Sequence, residues 1–346
     1  MTSEPTGPGG RTRRLTLADV ADAAGVSIAL VSIVMRGAPG ASEATRAKVK
    51  QVAEGLGYVP DRRAQKLRQL RSGLLGASFE LHQPFHGDLV EQLYVAAAEH
   101  GFDLALSCVT PSRDEGVAVG DLIRERCEAA VLLGSRKSSD DLRALSSQIP
   151  VLVIARQSGT PLVGSVRTDD TAGIAMAVDH LVALGHQRVL HITGGDAPGS
   201  AERREGFIAQ MTRHGLADRA TVTVGGPTET DGANAVTEAF RRPNTPTAIV
   251  AFNDRCAVGV LEMLLRQGVR VPDDVSVIGY DDSRLAKYSH ISLSTVAQDA
   301  ETIARQSMNV LASQLAGASP AAVTLPPRLI VRDTTAPAPP HTSKPL

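Results

Sequence analysis

Residues 17–34 read as two short helices joined by a tight turn, the arrangement by which a protein offers one helix to the major groove of DNA. Thr16 can cap the first helix, and Asp19 places a carboxylate on the positive end of its dipole. Leu17, Val20, Ala21 and Ala24 form one apolar face; small Ala21 lets the next helix cross closely, Gly25 supplies the turn and Ser27 caps the second helix. On that second helix Val31 and Val34 point inward, which leaves Ile28, Ala29, Ser32, Ile33 and Arg36 as an outward stripe of candidate base readers. A plain helical hairpin has the same periodicity. Residues 42–56 form a third helix, opened by Ser42 and Thr45, with Val49, Val52 and Leu56 turned toward the other two.

Charge separates this end from the rest. Residues 1–72 hold 12 Lys+Arg against 6 Asp+Glu, whereas the remainder holds 24 against 31, so a net charge of -1 conceals a basic head that suits a polyanion. Residues 1–14 read as a disordered basic arm, 15–59 as the DNA-binding domain, 60–72 as a hinge helix or linker, and 334–346, with four prolines, as a disordered tail. Residues 60–71 are too basic and too polar to fold against a core, so they order around phosphates and a second copy or remain a solvated linker.

From Leu74 onward apolar runs alternate with helical stretches, the pattern of a parallel α/β sheet. Runs at 74–79, 104–108, 129–133 and 151–154 make one series, and runs at 188–192, 221–224, 248–252 and 275–279 make a second. Helices are expected at 88–100, 171–184, 201–214 and 254–267. Two such units leave a cleft, and ligands in open α/β sheets bind beyond the carboxyl ends of the strands. Cys108, Cys127 and Cys256 are widely spaced, so free thiols are expected and no metal or other cofactor. The polar, Pro/Gly-rich start carries no apolar signal-peptide core, which implies a cytoplasmic protein without membrane contact.

This order of elements resembles the lac repressor (LacI/GalR) family of bacterial transcriptional regulators over residues 15–331. The resemblance is carried by Thr16-Leu17-Ala18-Asp19-Val20-Ala21, Ala24-Gly25-Val26-Ser27, Gly57-Tyr58-Val59-Pro60, Arg204-Glu205-Gly206-Phe207, Phe252-Asn253-Asp254 and Val277-Ile278-Gly279-Tyr280-Asp281-Asp282, among others. It implies an all-α helix-turn-helix head on a two-lobed, periplasmic-binding-protein-like α/β core with parallel sheets and helices on both faces. The core would span 73–333, one lobe holding 73–167 plus 299–326 and the other 168–298 plus 327–333. A homodimer would bind a pseudo-palindromic double-stranded operator, with Thr16, Ser27 and the outward stripe on the DNA and Arg62, Arg63, Gln65 and Leu67 in the hinge; Leu67 would wedge a base step or else simply pack.

The outward stripe departs from the family: Ile28, Ala29 and Ile33 carry no side-chain hydrogen-bonding atom, so they touch thymine methyls or fill space. In the cleft the family pattern carries over to Arg203, Asn253, Asp281 and Gln298, types that pair well with adjacent hydroxyls of a small sugar-like effector. Each taken singly also reads as a surface salt bridge or a helix cap. Ala155 stands where relatives have an aspartate before the residue seen here as Arg156, and Pro227 lies where a stacking aromatic is common. Phe85 and His86 could supply that surface, although His86 reads equally as a solvated helix-start residue. The expected function is therefore an allosterically controlled repressor and not an enzyme, since P-loop, zinc-protease and nucleophile-elbow motifs are missing; an intracellular sugar-binding protein without DNA is the alternative. The lack of a terminal leucine heptad implies dimers and not coiled-coil tetramers.

Overall fold

The computed structural model describes residues 15–58, 72–241 and 245–340. It divides into two compact units, 1–72 and 73–346.

In the first unit three helices, α1 (Leu17–Ala24), α2 (Ile28–Met35) and α3 (Glu43–Leu56), enclose Val20, Ala21, Ala24, Val31, Val34, Val49 and Ala53. Local signals fix their ends. Thr16 and Asp19 form a reciprocal capping box, Ser27 and Ser42 cap α2 and α3, and Gly25 ends α1 at φ 64°, a conformation that costs an L-residue with a side chain about 1–2 kcal/mol. Leu56, expected in this core, is exposed: it is the last residue of α3, and Val49 and Ala53 carry the buried stripe.

The second unit contains two six-stranded sheets. In the first, β1 (Leu74–Glu80), β2 (Asp103–Val109), β3 (Ala129–Leu133), β4 (Val151–Ile154), β5 (Gly164–Thr168) and β11 (Ala322–Leu325) run parallel in the order β11-β5-β4-β3-β1-β2. Helices α4 (Pro84–Glu99) and α11 (Ala300–Leu315) bury their apolar stripes on one face, and α5 (Glu115–Arg124) and α6 (Ser139–Ser146) on the other. The second sheet takes β6 (Val189–Ile192), β7 (Ala220–Thr223), β8 (Ala248–Val250), β9 (Ser276–Asp281), β10 (Ser294–Ala297) and β12 (Arg328–Ile330) in the order β12-β10-β9-β8-β6-β7, with β12 antiparallel. It lies between α7 (Asp170–Ala183) with α8 (Ser200–Arg213) and α9 (Glu229–Phe240) with α10 (Asp254–Arg266). The chain passes between lobes after β5, after β10 and between β11 and β12, which leaves the carboxyl ends of both sheets bordering one cleft.

Two packing details position the site. A Cβ at Gly259 on α10 would lie 1.8 Å from the Glu229 carbonyl oxygen, so only glycine lets α9 and α10 approach backbone to backbone and hold Asn253 and Arg255 beside Glu229. The expected disordered tail is corrected over 334–340. Thr334 is buried; its hydroxyl donates to the Val277 carbonyl at 2.7 Å and accepts from Ser294 N–H at 2.9 Å, its carbonyl accepts from Val277 N–H, and Ala336 and Ala338 donate to Ser276 Oγ and the Leu184 carbonyl. Those bonds satisfy polar groups of β9 and β10 that composition alone does not reveal. Among the described residues no single helix is long and apolar enough to cross a membrane.

Candidate functional sites: a DNA-reading helix and an interlobe cavity

Helices α1 and α2 meet at 107°, within the range of helix-turn-helix motifs. Ile28, Ala29 and Arg36 are exposed and Ser32 and Ile33 half-buried, so the expected stripe does face outward on α2. Ile28 is 52% exposed. Arg36 folds its Nε back onto the Ser32 carbonyl at 3.0 Å, and Ser27 Oγ accepts from Leu30 N–H. The Thr16 hydroxyl is committed in both directions, accepting from Asp19 N–H and donating to Asp19 Oδ2 at 2.7 Å. Arg62, Arg63, Gln65 and Leu67 lie outside the described residues.

In the second unit Phe85, His86, Arg203, Asn253, Asp281 and Gln298, which sequence reasoning assembled from separated segments, all line one cavity between the lobes. Arg203 is its centre. Its Nε donates to Asp170 Oδ1 at 2.8 Å and its Nη1 to the Phe252 carbonyl at 2.7 Å, and its guanidinium lies 3.5 Å from the Tyr280 ring centroid and 4.7 Å from that of Phe252. Both members of the Arg203–Asp170 pair are about 5% exposed, so the charge is locked between two aromatic faces while Nη2 makes no hydrogen bond among the described residues.

Asp281 Oδ1 accepts from Gln298 Nε2 at 2.7 Å. Burial raises the Asp281 carboxyl to about 7 against the opposing pull of Arg203. Asp254 behind it is pushed well above the usual carboxylate range, again by burial and by the charge of Asp281, and ties Ser283 and Thr295 together. Ala155 and Asp281, which line this cavity, adopt φ of 69° and 114°. Asn253 caps α10 through Cys256 N–H at 2.8 Å and donates to the Pro227 carbonyl at 3.3 Å, so it does serve the structural role that the sequence left open, with its second amide hydrogen unpaired among the described residues.

His86 is not the solvated residue that its helix-start position allowed. It is buried, accepts Glu80 N–H on Nδ1 at 3.0 Å and therefore carries its proton on Nε2; burial lowers it to about 4, so it is neutral. Its ring edge rests on Gly134, where a Cβ would come within 3.0 Å. Arg156 lies away from the cavity and donates to the carbonyls of Ser135 and Lys137, which steadies the loop that presents Arg136. Arg136 itself was not singled out from the sequence, although it lies just past the end of β3, where the strand-end rule points. It bonds Asp196 across the cleft at 3.0 and 3.1 Å, and Arg284 bonds Asp88 across it at 2.8 Å, two latches holding the lobes together.

Residues 16–61 match the family described as bacterial regulatory proteins, lacI family, and residues 178–335 match a periplasmic binding protein-like domain. The HTH-type transcriptional regulator GalR of Salmonella typhimurium is 35% identical over 310 residues, covering 88% of this chain and 90% of the relative. A LacI transcriptional regulator from Rhodococcus species aligns at a TM-score of 0.76 and 55% identity, over 77% of this chain and 99% of that one. The lac repressor dimer, solved on its operator with the anti-inducer ONPF, aligns at a TM-score of 0.80 and 28% identity over 94% of this chain and 100% of that one. With a helix-turn-helix head, two mostly parallel sheets and a strand-end cavity in this order, the chain belongs to the lacI family of bacterial regulatory proteins.

Proposed function

We propose that this chain is a cytoplasmic, homodimeric repressor that binds a pseudo-palindromic operator and whose operator affinity is set by a small sugar-class effector held between the core lobes. The observation that carries this reading is the convergence of Arg203, Asn253, Asp281 and Gln298, from four separate segments, on one cavity beside Phe85 and Phe252. A sugar leaves water only if fixed donors and acceptors replace its hydrogen bonds, and a spare guanidinium nitrogen, an amide hydrogen and a carboxylate do that while aromatic faces pack on its ring. Solved relatives support the class: the regulator CelR is described in complex with cellobiose and a LacI-family regulator of Enterococcus faecium with ribose, at 29% and 25% identity.

On the DNA side, Ser32 and Arg36 read base edges, Ile28, Ala29 and Ile33 contact thymine methyls, and Arg62, Arg63, Gln65 and Leu67 act at the centre of the operator. An effector that prefers one lobe closure then changes DNA affinity by the factor by which DNA changes effector affinity. The test uses full-length protein on a duplex selected from a random pool, with anisotropy recorded while ribose, glucose, galactose and cellobiose are added. A sugar that shifts DNA affinity in the native chain and not in Arg203→Met, with basal DNA affinity retained, supports the reading; an unchanged response in Arg203→Met overturns it.

A further inference from the structure

Gly73 stands one position before β1, where the hinge residues 60–72 join the core sheet, and the chain is gripped there from both sides. The Gly73 carbonyl accepts from Asp103 N–H at 2.9 Å, and the Leu74 carbonyl accepts from Glu128 N–H at 2.7 Å. Those two bonds are the ordinary start of a parallel ladder. The Glu128 carboxylate adds a third: its Oε1 accepts from Gly73 N–H, and an ionised acceptor makes the stronger kind of hydrogen bond. Gly73 takes φ 60°, so the chain turns into β1 through a backbone conformation that favours glycine.

Glu128 is itself placed by packing. Leu122 on α5 is buried against β1, where a Cβ on Gly76 would lie 2.9 Å from its Cδ1, so glycine lets the end of the helix settle on the strand. The turn that follows is closed by Arg126 and Cys127, whose N–H groups donate to the Ile123 and Leu122 carbonyls at 2.9 and 3.2 Å. Arg126 pays for that turn with φ 58°, a left-handed conformation costly to a residue with a Cβ, and β3 begins directly after Glu128. The carboxylate is therefore held between a packed helix end and a central strand.

We infer that Glu128 is a positioning residue for DNA binding: it fixes the point at which the hinge joins the core, and with it the spacing at which a dimer presents two heads to two half-sites. This rests on the dimeric repressor reading proposed above and adds to it a residue that belongs to neither the reading helix nor the interlobe cavity. One extra base pair between half-sites displaces one of them by about 3.4 Å along the duplex and about a tenth of a turn around it. An anchored junction resists that displacement, whereas a loose one follows it.

The experiment measures the affinity of the full-length protein for a duplex selected from a random pool, and for the same duplex with one base pair inserted or deleted between the half-sites. The native chain should bind both altered duplexes at least tenfold more weakly. Glu128→Ala should narrow that ratio to less than threefold, and Glu128→Gln, which keeps an acceptor oxygen, should preserve it. A residue that only stabilises the fold lowers the unfolding temperature and leaves the ratio as it is, so an unchanged ratio in Glu128→Ala overturns the inference, as does a native chain indifferent to spacing; both leave the repressor reading standing. Failure of the native chain to bind any selected duplex overturns both. Should Glu128→Ala not fold, hydrogen exchange at Gly73 in the native chain decides the matter: protection like that of the β1 ladder is expected, and exchange at the rate of an unstructured peptide overturns the grip.

Discussion

Arg203→Met removes the cation that neutralises Asp170 in a place where both are about 5% exposed and water cannot replace it. The Arg203 side chain is lost with two hydrogen bonds, at 2.8 and 2.7 Å, and a guanidinium held between Tyr280 and Phe252. Methionine fills much of the volume, so the dominant cost is the stranded Asp170 carboxylate, and breaking a buried pair on one side costs about 3–5 kcal/mol. Adding Asp170→Asn removes the stranded charge, and the double variant should return to within about 1–2 kcal/mol of the native chain, since replacing a buried ion pair as a unit is often nearly neutral. Thermal unfolding measured by far-ultraviolet circular dichroism reads this out: a loss of about 10 °C for the single variant and most of it recovered in the double. A single variant within about 3 °C of native, or a double variant no better than the single, would show that the pair does not organise the site.

The titrating groups, the cleft latch and the reading helix each give a further expected outcome. Burial holds His86 and His191 down to about 4, so the native state releases protons that the unfolded chain keeps; their contribution is complete above about 6.5 and disappears as pH falls toward 4, and His86→Gln should flatten that acid limb. Asp281 has the opposite sign: with its carboxyl raised to about 7 the native state holds a proton that the unfolded chain loses near 4, stability declines as pH rises through that interval, and Asp281→Asn should lessen this decline in urea titrations from pH 5 to 8, buried Asp254 supplying the remainder. Arg284→Ala deletes one cross-cleft latch, half-exposed and therefore worth about 0.2–1 kcal/mol, so effector affinity should fall up to about fivefold in calorimetry with the melting temperature nearly unchanged. In the head, Ile33→Arg should place a guanine preference worth about 1–3 kcal/mol into the selected half-site, and an unchanged half-site would remove Ile33 from the reading surface.

The head was legible because its determinants are local: a cap, a turn glycine and apolar spacing lie within a few residues of the backbone they control, and α1 and α2 fall where Thr16, Gly25 and Ser27 put them. The central strands were equally legible, and Ala129–Leu133 and Val151–Ile154 match the apolar runs residue for residue, since strands covered on both faces are written as unbroken hydrophobic stretches. Polar long-range pairing was not. Nothing near Thr334 signals that its hydroxyl and backbone complete β9 and β10, and nothing near Arg136 signals Asp196, sixty residues on. In the cavity, Arg203, Asn253, Asp281 and Gln298 were found through family resemblance, whereas the partners that orient them, Asp170 and the Phe252 carbonyl, are set by the meeting of distant elements.

The central claim is that a ligand in the core governs the grip of the head on DNA. Its most direct measurement is the affinity of full-length protein for a selected duplex as a function of salt, with and without a sugar that calorimetry shows to bind. The account predicts a log–log salt slope of several units, the mark of phosphate contacts, and an affinity displaced by a constant factor of about 5–150 when the sugar is present. Affinity for DNA that is identical with and without the bound sugar at every salt concentration would contradict it.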